Sequence, residues 1–127
     1  MSTAPPRVLL VEDDEPLRTA LARLLTQNGY EVGEAPNGRV ALEQMAQQPA
    51  QLVITDMIMP EMEGVETILT LRRVFPGVKI IAMSGGGISS AASHLAIAQA
   101  LGTHKVMTKP LVPAEFLEAV RELTSSQ

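Results

Sequence analysis

At 127 residues the chain has the length of one domain, enough to bury a substantial core. With one Tyr, two Phe and no Trp it lacks an aromatic platform for stacking bases, and a net charge of -4 with thinly spread Arg and Lys argues against a surface built for nucleic acid or anionic membrane. The absence of Cys excludes disulfides and thiolate chemistry. MSTAPPR has no apolar signal core and no run reaches the roughly 18 residues of a membrane span, so a cytoplasmic protein is expected, with residues 1–6 as a loose arm.

Short apolar runs alternate with longer amphipathic ones. RVLLVE, from Arg7, reads as a buried strand, and Leu17, Leu21, Leu24 and Leu25 then line one face of a helix stopping at Asn28-Gly29. YEVGEA is a weaker second strand. Asn37 caps a helix containing Val40, Ala41, Leu42 and Met45 that ends before Pro49, and QLVIT is a third strand. Met62 to Phe75 is a third helix, closed by Pro76-Gly77, and KIIAM is a fourth strand running into Ser84-Gly85-Gly86-Gly87. A fourth helix starts at Ser89 or Ser90, KVMT is a fifth strand, Lys109-Pro110 a turn, and Pro113 to Leu123 a last helix with Phe116, Leu117 and Val120 inward.

Strict βα alternation with nearly continuous apolar strands predicts an α/β fold, a parallel sheet covered by helices on both faces. Such sheets bind ligands beyond the carboxyl ends of their strands. Those ends carry Glu12-Asp13-Asp14 after the first strand, Asp56 after the third, Ser84 after the fourth and Lys109 after the fifth. Asp13, Asp14 and Asp56 are the only aspartates of the chain, whereas the glutamates are scattered. Each residue alone has a plain explanation: Asp14 and Pro16 suit a helix start, Asp56 a turn, Ser84 a loop and Lys109 a solvated surface. Jointly, carboxylates from two strands suit a hard cation such as Mg²⁺, and a hydroxyl and an ammonium opposite them suit phosphate. A short carboxylate there is also able to act as a nucleophile and form an acyl phosphate.

Taken together, VED (Val11 to Asp13), DMIMPEMEG (Asp56 to Gly64), AMSG (Ala82 to Gly85) and TKP (Thr108 to Pro110) closely resemble the response regulator receiver domain, the phosphorylated partner of sensor histidine kinases. The resemblance covers residues 7–124 and implies a flavodoxin-like, doubly wound five-stranded sheet in the order 2-1-3-4-5, with residues 125–127 as a tail and no output domain. It implies that Asp56 is the phosphoacceptor and that Mg²⁺, with Mn²⁺ as a substitute, is held by Asp13 and Asp56, by Glu12 through water and by the Ile58 carbonyl. Ser84 and Lys109 would bind the phosphoryl group beside Gly85, and Pro110 would follow a cis peptide that aims the lysine inward. Asp14 falls outside the matched pair and stays a helix-start acid.

The implied partners are a histidine kinase or histidine phosphotransfer protein, a downstream protein target and a phosphorylation-dependent second copy, with no nucleic acid and no membrane. The chain is then not an enzyme acting on an external substrate but a self-modifying phosphoacceptor that slowly loses its phosphate to water and either signals by protein contact or serves as a phosphate shuttle or sink. Where receivers commonly carry Phe or Tyr, three residues before the lysine, this chain has Val106. Output would instead pass through the loop from Ser84 to Ser90 and the fourth helix, or the response is small. The alternative of an aspartyl-phosphate phosphatase lacks the D-x-D pattern after the first strand, and a flavin-binding relative would place its phosphate against Glu12 to Glu15. His94 and His104 read as solvated residues. Met57, Met59 and Met62 read as packing, and the glycines at 85–87 as a pliable loop.

Overall fold

The computed structural model describes residues 5–57, 64–85, 96 and 99–125. Five parallel strands, β1 (Arg7–Val11), β2 (Glu31–Ala35), β3 (Leu52–Asp56), β4 (Lys79–Ser84) and β5 (Lys105–Thr108), form one sheet in the order β2-β1-β3-β4-β5. Between them run α1 (Glu15–Gln27), α2 (Gly38–Gln47) and α3 (Gly64–Val74), and a C-terminal helix spans Pro113–Ser125. Residues 99–101 are helical as well, whereas the expected helix start at Ser89 or Ser90 lies outside the described residues.

The period of two in each strand divides the core. Leu9, Val11, Val53, Ile80 and Ala82 face a layer with Ala41, Met45, Ile68 and Leu71, while Val8, Leu10, Ile54, Ile81 and Met83 face Leu21, Leu25, Phe116 and Val120. Val106 packs partly buried against the first layer and Met107 against the second. Burial on both faces is why these strands read as continuous apolar runs.

Local signals set the helix ends. Asp14 caps α1 by accepting from the Leu17 N–H at 3.2 Å, and Asn37 caps α2 by accepting from the Val40 N–H at 2.9 Å. Gly29 follows α1 with φ 92°, a conformation that favours glycine. The Pro6 carbonyl accepts from the Glu31 N–H at 2.9 Å, which ties the chain just before β1 to the start of β2. Two strand ends run one residue further than the apolar pattern suggests: Asp56 is the last residue of β3 and Ser84 the last of β4. Ladder pairing of Asp56 with Met83 and of Ser84 with Thr108 fixes both backbones, so these polar side chains stand on rigid strand rather than on loop.

Candidate functional site

The parallel register brings the carboxyl ends of β1, β3, β4 and β5 to one edge of the sheet. Glu12 follows β1 directly and is 1% exposed; Asp56 is 8% exposed, and Asp13 projects to solvent. One carboxylate oxygen from each of Glu12, Asp13 and Asp56 lies within 4.8 Å of the others. The Lys109 Nζ donates to Glu12 Oε1 and to Asp56 Oδ2, each at 2.8 Å. Asp14 stays outside this cluster as the cap of α1, although its N–H donates to Glu12 Oε2 at 3.1 Å.

The charges account for one another. Three carboxylates against one ammonium leave a formal excess of two negative charges, the charge of one divalent cation. Burial raises the Glu12 pKa above the usual carboxylate value, with Asp56 adding to the effect and the hydrogen bonds from Lys109 and the Asp14 N–H opposing it. Burial works against the Lys109 ammonium, but its hydrogen bonds to Asp56 and Glu12 outweigh that and hold its pKa above the usual lysine value. The donor set is all oxygen, partly solvent-facing and anionic, which fits Mg²⁺ or Mn²⁺ and does not suit a soft metal. The buried Met57 next to Asp56 belongs to the apolar core, and Met59 and Met62 lie outside the described residues.

The lysine is aimed by the backbone. Its N–H donates to the Ser84 carbonyl at 2.8 Å, and the Lys109-Pro110 peptide is cis. Ser84 itself is 1% exposed, and among the described residues its Oγ has no hydrogen-bond partner. A buried hydroxyl without a partner costs about 1–3 kcal/mol, which a ligand oxygen at this strand end would recover. Gly85 follows with open space where a side chain would begin. Ile58, Gly86, Gly87 and His94 lie outside the described residues.

Three features of the structure are not evident from motif spacing. A Cβ on Gly64 would collide with the Asp56 carbonyl oxygen and the Met57 backbone, so the first residue of α3 lies directly against the strand end that carries Asp56. The Arg18 Nη1 donates to the Glu12 carbonyl at 2.8 Å, while its Nε pairs with Glu34 of β2 at 3.3 Å. His104, read from the sequence as merely solvated, accepts from the Ile80 N–H through Nδ1 at 3.1 Å and donates its own N–H to the Ile80 carbonyl at 2.9 Å. The ring is exposed, as expected, but it also fastens β5 to β4 at the end of the sheet away from the acids.

Comparison with known proteins gives the same picture. The sequence profile of the response regulator receiver domain matches residues 8–121. The chemotaxis protein CheY of Thermotoga maritima is 34% identical over 119 residues, which cover 93% of this chain and 97% of that one. The sensor kinase CckA of Brucella abortus is 34% identical over 122 residues, 94% of this chain but 13% of the kinase. A solved response regulator receiver protein from Pseudomonas putida superposes with a TM-score of 0.86 at 28% identity, covering 95% of this chain and 99% of its own. With this fold, this cluster of acids around a lysine and a profile match over nearly its whole length, the chain belongs to the response regulator receiver domain family of two-component signalling.

Proposed function

We propose that the chain is a Mg²⁺-dependent phosphoacceptor that takes a phosphoryl group onto Asp56 from a phosphohistidine of a kinase or phosphotransfer protein. The observation that carries this reading is the convergence of a buried aspartate, Asp56, with two further carboxylates and with the Lys109 ammonium at 2.8 Å. An Asp56 carboxylate oxygen forms the new P–O bond as the donor's N–P bond breaks, and the imidazole leaves as the neutral base after taking a proton from solvent. Asp13 and Asp56 would hold the cation directly, Glu12 through water and the Ile58 carbonyl as a further ligand. A cation held by these residues would supply positive charge to the phosphoryl oxygens.

Lys109 is already beside the acceptor, so it moves from the Asp56 carboxylate to a phosphoryl oxygen without a large excursion. Ser84, beside Gly85, offers its unpartnered Oγ–H to another phosphoryl oxygen. An apolar groove of about 540 Å³ leads from Lys109 between Leu17, Leu21 and Leu24 of α1 and Pro110, Leu111 and Pro113, giving a protein donor a surface beside the acceptor. Val106 rules out an aromatic rotamer switch at its position, so output runs through the loop after Ser84 or the face of β5 and the C-terminal helix to a protein target or a second copy.

Intact-mass measurement after incubation with Mg²⁺ and a small phosphodonor tests this. The parent chain is expected to gain one phosphoryl adduct and Asp56→Asn none. No adduct on the parent, or equal adducts on both, would refute the assignment. Rapid, substrate-selective release of phosphate would instead favour an aspartyl-phosphate phosphatase.

A further inference from the structure

Glu12 is the most enclosed acid of the site, and its side chain alone does not explain why it stays there. Its carboxylate is enclosed at 1% exposure beside that of Asp56, so a freely pivoting Glu12 would swing toward water. Four hydrogen bonds oppose that. Lys109 and the Asp14 N–H hold the two carboxylate oxygens, the Glu12 N–H donates to the Ala35 carbonyl of β2 at 3.0 Å, and Arg18 takes the Glu12 carbonyl at 2.8 Å. The first two partners belong to the site itself; the other two clamp the backbone from β2 and α1.

Arg18 is largely buried, with 16% of its side chain exposed, and its guanidinium is aimed by Glu34 on the neighbouring strand. We infer that Arg18 is a positioning residue for the metal site: braced by Glu34, it fixes the Glu12 main chain so that Glu12 and Asp13 converge on Asp56. This rests on the reading of the acids as a Mg²⁺ site. The fork shape of the guanidinium matters, because one edge meets Glu34 while another nitrogen meets the carbonyl, which a lysine ammonium cannot reproduce at the same two points. Arg18 also brings a positive charge toward an anionic site. If it acted by charge alone, removing it would tighten binding of Mg²⁺; if it acts by holding geometry, removing it weakens binding.

Calorimetric titration of Mg²⁺ into the parent chain, Arg18→Gln, Arg18→Lys and Glu34→Gln separates these, with thermal melts in the absence of Mg²⁺ as the structural control. Arg18→Gln and Arg18→Lys are each expected to bind Mg²⁺ roughly tenfold more weakly, the usual effect of losing a partner behind a metal ligand, and Glu34→Gln less so but in the same direction. Glu34 is nearly half exposed, so its variant reports even where an Arg18 variant melts early, the titration being run at high salt to screen the charge lost with Glu34. Unchanged or tighter binding by Arg18→Gln, or full recovery by Arg18→Lys, would overturn the assignment while leaving the metal site standing. A parent chain that binds no Mg²⁺ would overturn both.

Discussion

Lys109 illustrates how much one side chain carries. Its ammonium is the counter-charge of two enclosed carboxylates, Glu12 and Asp56, and the desolvation that opposes it is outweighed by these two partners. Truncation in Lys109→Ala leaves both acids facing each other, and the metal-free protein is expected to lose about 2 kcal/mol in urea denaturation at neutral pH. Because burial raises the Glu12 pKa, the native state takes up that proton at a higher pH than the unfolded chain does. The deficit of the variant should therefore shrink as the pH is lowered toward the native Glu12 pKa, and a deficit constant across that range would contradict the assignment of Lys109 as counter-charge.

At the scale of elements, β5 is the edge strand that delivers Lys109, and its far end depends on His104. Partial desolvation, with Lys79 of β4 and Arg72 of α3 nearby, lowers the His104 pKa below its ordinary 6.5. The hydrogen bond from the Ile80 N–H also needs Nδ1 unprotonated. Lys105 also lies beside this corner, but Glu122 of the C-terminal helix neutralises it at 2.6 Å. Below pH 6.5 the unfolded chain binds the proton first, so this contribution to stability is complete above that value and is lost as the pH falls through the lower native value. His104→Asn keeps an acceptor for the Ile80 N–H and should flatten the stability difference between about pH 5 and pH 7.5. Equal slopes for parent and variant in denaturation series would show that the imidazole does not titrate against this bond.

For the molecule as a whole, the proposed metal site would link metal binding to folding through the same acids. Mg²⁺ at about one hundred times its dissociation constant should add about 2.7 kcal/mol, raising the melting midpoint by roughly 10 °C for a domain of this size. Asp13→Asn is expected to remove most of that rise while leaving the metal-free midpoint unchanged or higher, because it deletes one of the repelling charges. The architecture was legible in the sequence because both faces of the sheet are buried and each apolar run is bounded by Asn, Gly or Pro. The convergence of Asp13, Asp56, Ser84 and Lys109 at one edge of the sheet was legible because each stands at or just after the end of a recognisable strand. Arg18 and Glu34 were not, since one acts on a backbone carbonyl and the other stands on an exposed strand face that periodicity assigns to solvent. The contact of Gly64 with the Asp56 carbonyl was hidden because helix periodicity says nothing of how closely a glycine's backbone approaches a strand end. His104 is solvated as expected, and its bond to β4 was hidden because exposure of a ring does not exclude a hydrogen bond to the neighbouring strand.

The two bonds of Lys109 span 53 residues to Asp56 and 97 to Glu12. During synthesis, β1 and β3 therefore leave the ribosome well before the lysine that neutralises their acids. On the reading proposed for Asp56, a nascent chain presents that carboxylate before Lys109 is there to pair with it, so the acceptor would become competent only once the last strand is laid down.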